Sequence, residues 1–207
     1  IMTFSALVGV IFSGMTHSWV VGLICALLMG IMLGLVIGFF ALKMKTDIIL
    51  AGIGINTLGA GGTVFFLYLA SGDRGASNSI ASEIVPKLEI PLIKDIPVIG
   101  QIFSGHSALT YFAFISVILV WVLLYKTPLG LRIRAVGENR NAADSVGVSV
   151  NRVSYLALAL SGLFAGLGGA FMSMGYMKGF TVNMAAGRGF IGLAAEAMGH
   201  GEPVGAM

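Results

Sequence analysis

The stretch from Val20 to Leu42 carries no charged side chain and is apolar almost throughout. A helix of about 20 such residues crosses the hydrocarbon core of a bilayer. Comparable stretches run from Ile48 to Ala70, from Ser107 to Tyr125 and from Val153 to Met174. In lipid every backbone amide must be bonded within the protein, which leaves helices and closed barrels as the only spanning structures. Barrel strands are about 10 residues long and alternate in polarity. These runs are far longer and do not alternate, so the fold class is all-α, a polytopic transmembrane helix bundle. Composition agrees: 57% of residues are apolar and only 10% charged, against roughly 25% charged in a soluble domain.

Two shorter apolar segments complete the count. Ile1 to Ser13 is too short to span alone and reads as the tail of a cut helix, followed by a polar turn from Gly14 to Trp19. Phe190 to Met198 is also too short, and glycines flank it. It reads as a re-entrant segment or as the start of a helix; non-helical backbone at membrane depth needs protein or a water-filled cavity around it. The expectation is a single transmembrane domain over 1–207 with about five spans plus the re-entrant segment. Neither Ile1 nor Met207 has the character of a natural terminus, so a piece of a longer chain is expected.

The formal charge of +3 does not point to nucleic acid, because the basic residues fall in loops between apolar runs. That distribution orients membrane proteins, with Lys and Arg enriched on the cytoplasmic side. Lys43 and Lys45 fill one loop; Lys126, Arg132, Arg134, Arg140 and Arg152 fill another. Both are therefore expected in the cytoplasm. The loop at 71–106 balances Arg74, Lys87 and Lys94 with Asp73, Glu83, Glu89 and Asp95, contains Pro86, Pro91 and Pro97, and is expected outside.

Gly30, Gly34 and Gly38 recur every four residues, as do Gly162 and Gly166. That spacing puts them on one helix face and lets a neighbouring backbone approach. Close packing is the plain reading; a sliding surface for a moving helix is the functional one. Cys25 is the only cysteine, so no intrachain disulfide can form. His17, His106 and His200 have no ligand spacing, and no metal site is expected. No GxxxxGK[ST] loop is present, so the chain is not expected to hydrolyse ATP and is not read as an enzyme.

The segment Lys126–Arg152 reads KTPLGLRIRAVGENRNAADSVGVSVNR. Glu138 to Val146 is expected to form a short helix, with Asn139 as its cap and Gly147 at its end. Such a helix suits docking into a cleft on a partner; the alternative is a solvated loop that only orients the protein. Polar residues within spans are costly. Asn56, Thr57 and Ser161 are candidates either for interhelical hydrogen bonds or for contact with a sugar hydroxyl or base edge in a pathway. Asn183, Arg188 and Glu196 lie in or beside the re-entrant segment. Arg188 could pair with Glu196, anchor at the interface or line a pore. Phe171, Phe180 and Phe190 could stack on a base or simply pack.

The string Asn141-Ala-Ala-Asp-Ser-Val-Gly147 resembles the loop motif with which ABC importer permeases engage their ATPase. The wider string Thr127–Arg152 resembles the permease family that includes ribose, branched-chain amino acid and nucleoside importers. Leu160–Ala170 and Gly187–Ala195 extend the match, and the nucleoside and simple-sugar branch fits best. Glu196 departs from the ribose-like pattern. The resemblance implies that Glu138, Asn139, Arg140, Asn141, Ala142, Ala143, Asp144 and Gly147 form a coupling helix on a cytoplasmic ABC ATPase. It further implies a second permease subunit, an extracytoplasmic substrate-binding protein, ATP bound only by the partner ATPase with no cofactor on this chain, and a bacterial cytoplasmic membrane. The rival is an ion-gradient-driven secondary transporter, which needs intramembrane carboxylates or broken-helix ion sites; Glu196 is its one candidate. A membrane-embedded enzyme is a third class, for which no catalytic cluster is visible.

Overall fold

The computed structural model describes residues 1–73, 75–77, 80, 83, 85–88, 105–199, 201–203 and 205. The described residues form α1 (Met2–Thr16), α2 (Trp19–Gly38), α3 (Ile48–Ser71), α4 (Ala108–Lys126), α5 (Pro128–Glu138), α6 (Arg140–Ser145), α7 (Val150–Ala170) and α8 (Arg188–Met198). A short antiparallel pair, β1 (Lys87–Leu88) and β2 (His106–Ser107), precedes α4. Arg74, Glu89, Pro91, Lys94, Asp95, Pro97 and His200, with most of the loop expected outside, lie beyond the described residues.

Among the described residues four helices are long and apolar enough to cross a membrane: Trp19–Lys43, Ile48–Ser71, Ala108–Lys126 and Val150–Tyr176. Two of them lengthen through a π-helical end, Phe39–Lys43 after α2 and Phe171–Tyr176 after α7. The fifth apolar run is the shorter α1. It reaches Thr16, so the turn expected over Gly14–Trp19 shrinks to His17 and Ser18. His17 adopts a left-handed conformation, φ 49°, that ends α1 and lets α2 start at Trp19.

The glycine pattern builds the centre of the bundle. A Cβ on Gly34 would meet the Leu158 carbonyl oxygen at 2.5 Å, and one on Gly166 would meet the Ala26 carbonyl oxygen at 2.9 Å. Gly30 and Gly162 face each other's backbone still more closely. No apolar driving force between helices operates in lipid, so backbone approach of this kind supplies the packing. α1 lies on the same pair: a Cβ on Gly22 would meet the Gly9 carbonyl oxygen at 2.6 Å and Ser13 Cβ at 2.7 Å.

Two buried clusters flank this seam. Ala6, Leu7 and Val10 of α1 pack with Leu67, Met172, Phe180 and Met184. Ala26, Val85, Leu109, Ala170 and Met174 form the other. Phe180 is therefore core, 1% exposed, and not a ring free to stack on a substrate. The outer surfaces of α2, α3 and α4 carry bare Leu28, Met32, Leu69 and Ile118. Such a surface suits lipid or further helices as its surroundings.

Irregular backbone beyond α7 is pinned by hydrogen bonds. Ser77 N–H donates to the Phe180 carbonyl at 2.8 Å, and Phe180 N–H donates to Ser77 Oγ at 2.8 Å. Val182 N–H donates to Gly75 O at 2.7 Å, and Val85 N–H to Met174 O at 3.2 Å. Glu83 N–H donates to Ser13 Oγ of α1 at 3.1 Å. These bonds satisfy amides that lipid could not.

Candidate functional site

The stretch Lys126–Arg152, expected as a loop, is mostly helical. Thr127 is extended and caps α5, its Oγ1 accepting from Gly130 N–H at 3.2 Å and donating to Leu123 O at 2.6 Å. Pro128 occupies the first helical position, where its missing N–H costs nothing. Cap and proline together were the signal in the sequence for this helix. Ile133 and Val136 turn inward to line a cavity with Leu42, Asp47 and Leu158.

Asn139 leaves the helical region, φ −152° and ψ 106°, and breaks α5 from α6. Its side chain accepts from Asn141 N–H and Ala142 N–H, each at 3.1 Å. The helix expected over Glu138–Val146 is thus Arg140–Ser145. Glu138 is the last residue of α5, because a capping residue cannot itself be helical. Gly147, φ 83°, ends α6. Gly147 N–H donates to Asp144 O at 2.9 Å and Val148 N–H to Ala143 O at 3.0 Å. This pair of bonds is the Schellman closure of a helix C-terminus. Ala143 is buried against the protein, while Asn141, Ala142, Asp144 and Val146 are exposed. The result is a short helix fixed at both ends that presents one bare face.

Beneath it, Arg140 and Asp47 line a cavity of about 560 Å³ between the inner ends of α2, α3, α5 and α7. Asp47 caps α3 by accepting from Ile49 N–H at 2.8 Å.

A second cavity, about 590 Å³, lies between α1, α3 and α8. Asn56, Thr63, Asn183 and Phe190 line it, with apolar Ile53 and Leu193 among the rest of the wall. Along α3, at 1.5 Å per residue, Asn56 stands about 12 Å and Thr63 about 22 Å from Ile48. The cavity therefore reaches the middle of the span. Asn183, φ 61°, and Gly187, φ 76°, sit in the turns that lead into α8. Asparagine and glycine tolerate that region best. So Phe190–Met198, read as re-entrant or as a helix start, lies wholly within the 11-residue α8, and irregular backbone leads into it.

The sequence candidates divide here. Asn56 and Asn183 share the cavity, with Phe190. Thr63 and the start of α1 were not foreseen; they became visible only with the packing. Thr57 is not in that wall; its Oγ1 donates to Ile53 O at 3.0 Å. Ser161 is exposed on α7. Phe171 lines a different, apolar groove with Phe112 and Phe164. Arg188 is not paired with Glu196: its Nη1 donates to Met184 O at 2.8 Å, and Glu196 lies exposed further along α8.

A polytopic bundle with a cavity beside α3 and an exposed capped helix between two spans is the architecture of a multi-pass membrane protein. The chain belongs to the branched-chain amino acid transport system / permease component family, which matches residues 1–207. It is 36% identical over 195 residues to the guanosine ABC transporter permease protein NupQ of Bacillus subtilis, covering 94% of this chain and 60% of that one. It is 38% identical over 166 residues to the nucleoside ABC transporter permease protein NupC of Lactococcus lactis, covering 80% and 51%. To the putative glucose ABC transporter permease protein TsgC13 of Haloferax volcanii it is 32% identical over 197 residues, covering 93% and 58%. The chain thus spans between 51% and 60% of the length of these relatives. No solved structure gives a significant match. Family and helices together make this a multi-pass protein of the cytoplasmic membrane.

Proposed function

We propose that the chain is part of the permease subunit of an ATP-driven importer that moves nucleosides, with simple sugars as the next class. The observation that carries this is α6, capped by Asn139 and closed at Gly147, with its outer face bare. A rigid, exposed helix between two spans suits a groove on a separate cytoplasmic ATPase. ATP is bound and hydrolysed there, and this chain supplies no cofactor. Movement of α6 switches the pathway between outward-open and inward-open states as a rigid-body, bistable transition. A second permease subunit completes the pore, and a substrate-binding protein delivers from outside. The distribution of positive charge supports a cytoplasmic 126–152 segment and an external 71–106 loop.

The cavity supports the substrate class. Asn56 and Asn183 offer amide donors and acceptors to a base edge or sugar hydroxyl. Phe190 offers a flat apolar face for a base. Guanosine and nucleoside permeases among the relatives point the same way. Glu196, the carboxylate a gradient-driven carrier would need, stands exposed outside this cavity wall.

The test is uptake by the full-length protein with its ATPase and binding protein in proteoliposomes, using labelled nucleosides and ribose. ATP-dependent nucleoside uptake, lost in the charge reversals Glu138→Lys and Asp144→Lys while assembly persists, is the expected result. Uptake driven by a proton or sodium gradient without ATP would overturn the proposal.

A further inference from the structure

The inner end of α4 and the length of α5 carry a cluster of cations that the transport reading does not use. Trp121 and Tyr125 stack near the end of α4, with ring centroids 6.0 Å apart at 28°. Lys126 Nζ lies 5.7 Å from the Trp121 ring centroid, and Arg134 Cζ lies 4.6 Å from that of Tyr125. From Tyr125 to Gly137 the chain holds no Asp or Glu. Aromatic faces hold Lys126 and Arg134, and the first carboxylate on α5, Glu138, stands one turn beyond Arg134. A guanidinium lying on a ring keeps its in-plane N–H groups directed outward, in the fork that matches a phosphate.

The surface beside the charges is apolar. Leu131 is 67% exposed. At 3.6 residues per turn, Leu131 stands opposite the inward face of Ile133 and Val136, with Arg132 and Arg134 on its flanks. Thr127 alone links α4 to α5, and Gly130 presses against the Leu123 and Leu124 backbone, so α5 turns off directly at the end of the span. This places Leu131, the interfacial aromatics and the cations in one strip, continuous with the exposed apolar side of α4.

We propose that this strip binds the phosphate headgroup of an anionic phospholipid. Lys126, Arg132 and Arg134 supply the charge; Leu131 enters the acyl boundary. Trp and Tyr belong at that level of a bilayer, and each basic residue adds attraction to an anionic leaflet. The other candidate occupant is an acidic face of the partner ATPase. Charge alone would suit it, but the bare Leu131 and the exposed apolar side of α4 beside it favour lipid. The proposal needs only that α4 spans the membrane, so it stands or falls separately from the substrate.

The test uses the full-length protein purified from mixed micelles supplied with equal phosphatidylglycerol and phosphatidylcholine, with bound lipid counted by native mass spectrometry. The wild type is expected to retain phosphatidylglycerol over phosphatidylcholine by about fivefold or more. The double variant Arg132→Gln/Arg134→Gln is expected near parity, and Arg132→Lys/Arg134→Lys keeps most of the preference, which separates charge from folding. Raising the salt concentration should erode the wild-type preference. Retention in proportion to supply by the wild type, or an undiminished preference in the Gln variant, overturns the proposal. A Gln variant that keeps the lipid but no longer copurifies with the ATPase also overturns it, and assigns the strip to that subunit.

Discussion

The seam between α2 (Trp19–Gly38) and α7 (Val150–Ala170) yields a quantitative prediction. Replace Gly30 by alanine. The new methyl would overlap the Gly162 carbonyl oxygen and stand 2.9 Å from Gly166 Cα. Both neighbours are backbone atoms of the facing helix, so no side chain can rotate away. Ordinary contact begins near 3.4 Å, so the helices must part by several tenths of an ångström or more. Parting loosens the neighbouring contacts at Gly34 and Gly162 as well. Overpacking of this kind costs about 1–3 kcal/mol. Helix propensity acts in the opposite direction, because alanine is favoured over glycine by up to about 1 kcal/mol.

Gly52→Ala separates the two effects. A Cβ there meets nothing within 4 Å, so only propensity acts. Equilibrium unfolding in mixed micelles should show Gly30→Ala less stable by about 1–2 kcal/mol and Gly52→Ala unchanged or slightly more stable. In the double variant Gly30→Ala/Gly162→Ala the second methyl enters a gap the first has opened, so the losses should sum to less than the singles. Equal stabilities for Gly30→Ala and Gly52→Ala, or strict additivity across the seam, would refute the close-approach argument.

Other substitutions test the remaining elements. Asn139→Ala removes the acceptor shared by Asn141 and Ala142 N–H groups; fraying of α6 by about 1 kcal/mol should lower ATP-dependent uptake while the protein still folds, read by uptake beside a thermal melt. Asn56→Ala should raise the KM for nucleoside uptake, whereas Thr57→Val, whose hydroxyl bonds its own helix at Ile53, should leave it nearly unchanged; equal effects would remove Asn56 from the pathway. Ser77→Ala strips the buried Phe180 N–H of its acceptor and should destabilise by about 1–3 kcal/mol, with faster hydrogen exchange at Phe180 as the local signature. Gly147→Ala forces a methyl into φ 83° and should cost about 1 kcal/mol, which a stability assay detects even though the added Cβ meets no neighbour.

Much of this architecture was legible because lipid simplifies the reading. Long uncharged runs can only be helices, and Gly30, Gly34 and Gly38 announced a face that does meet Gly162 and Leu158. Asn139 declared its capping role, and Gly147 its end, through residue type alone. The start of α6 was misjudged by two residues because Glu138 is a good helix former that belongs to the helix before. α5 was overlooked because its charges looked like a loop, although Thr127-Pro128 is a helix start. The conflict between charge and periodicity is itself informative: a cationic helix with inward Ile133 and Val136 is what a surface helix at a membrane edge requires.

The pathway was harder to read, for a reason particular to membrane helices. In water a helix advertises its buried face by hydrophobic periodicity. In a bilayer both faces of α3 are apolar, and its exposed side chains include Ile53, Leu58 and Phe65 on several sides. Asn56 and Thr57 are adjacent in sequence and about 100° apart around the helix. One faces the cavity with Asn183, and the other returns its hydroxyl to Ile53. A polar group in a span needs a partner, and a serine or threonine can meet that need within its own turn. An asparagine side chain, with two donors and an acceptor, asks for more than its own turn provides. Within a span, the residue that cannot satisfy itself is therefore the better guide to a polar cavity, and on α3 Asn56 lines one.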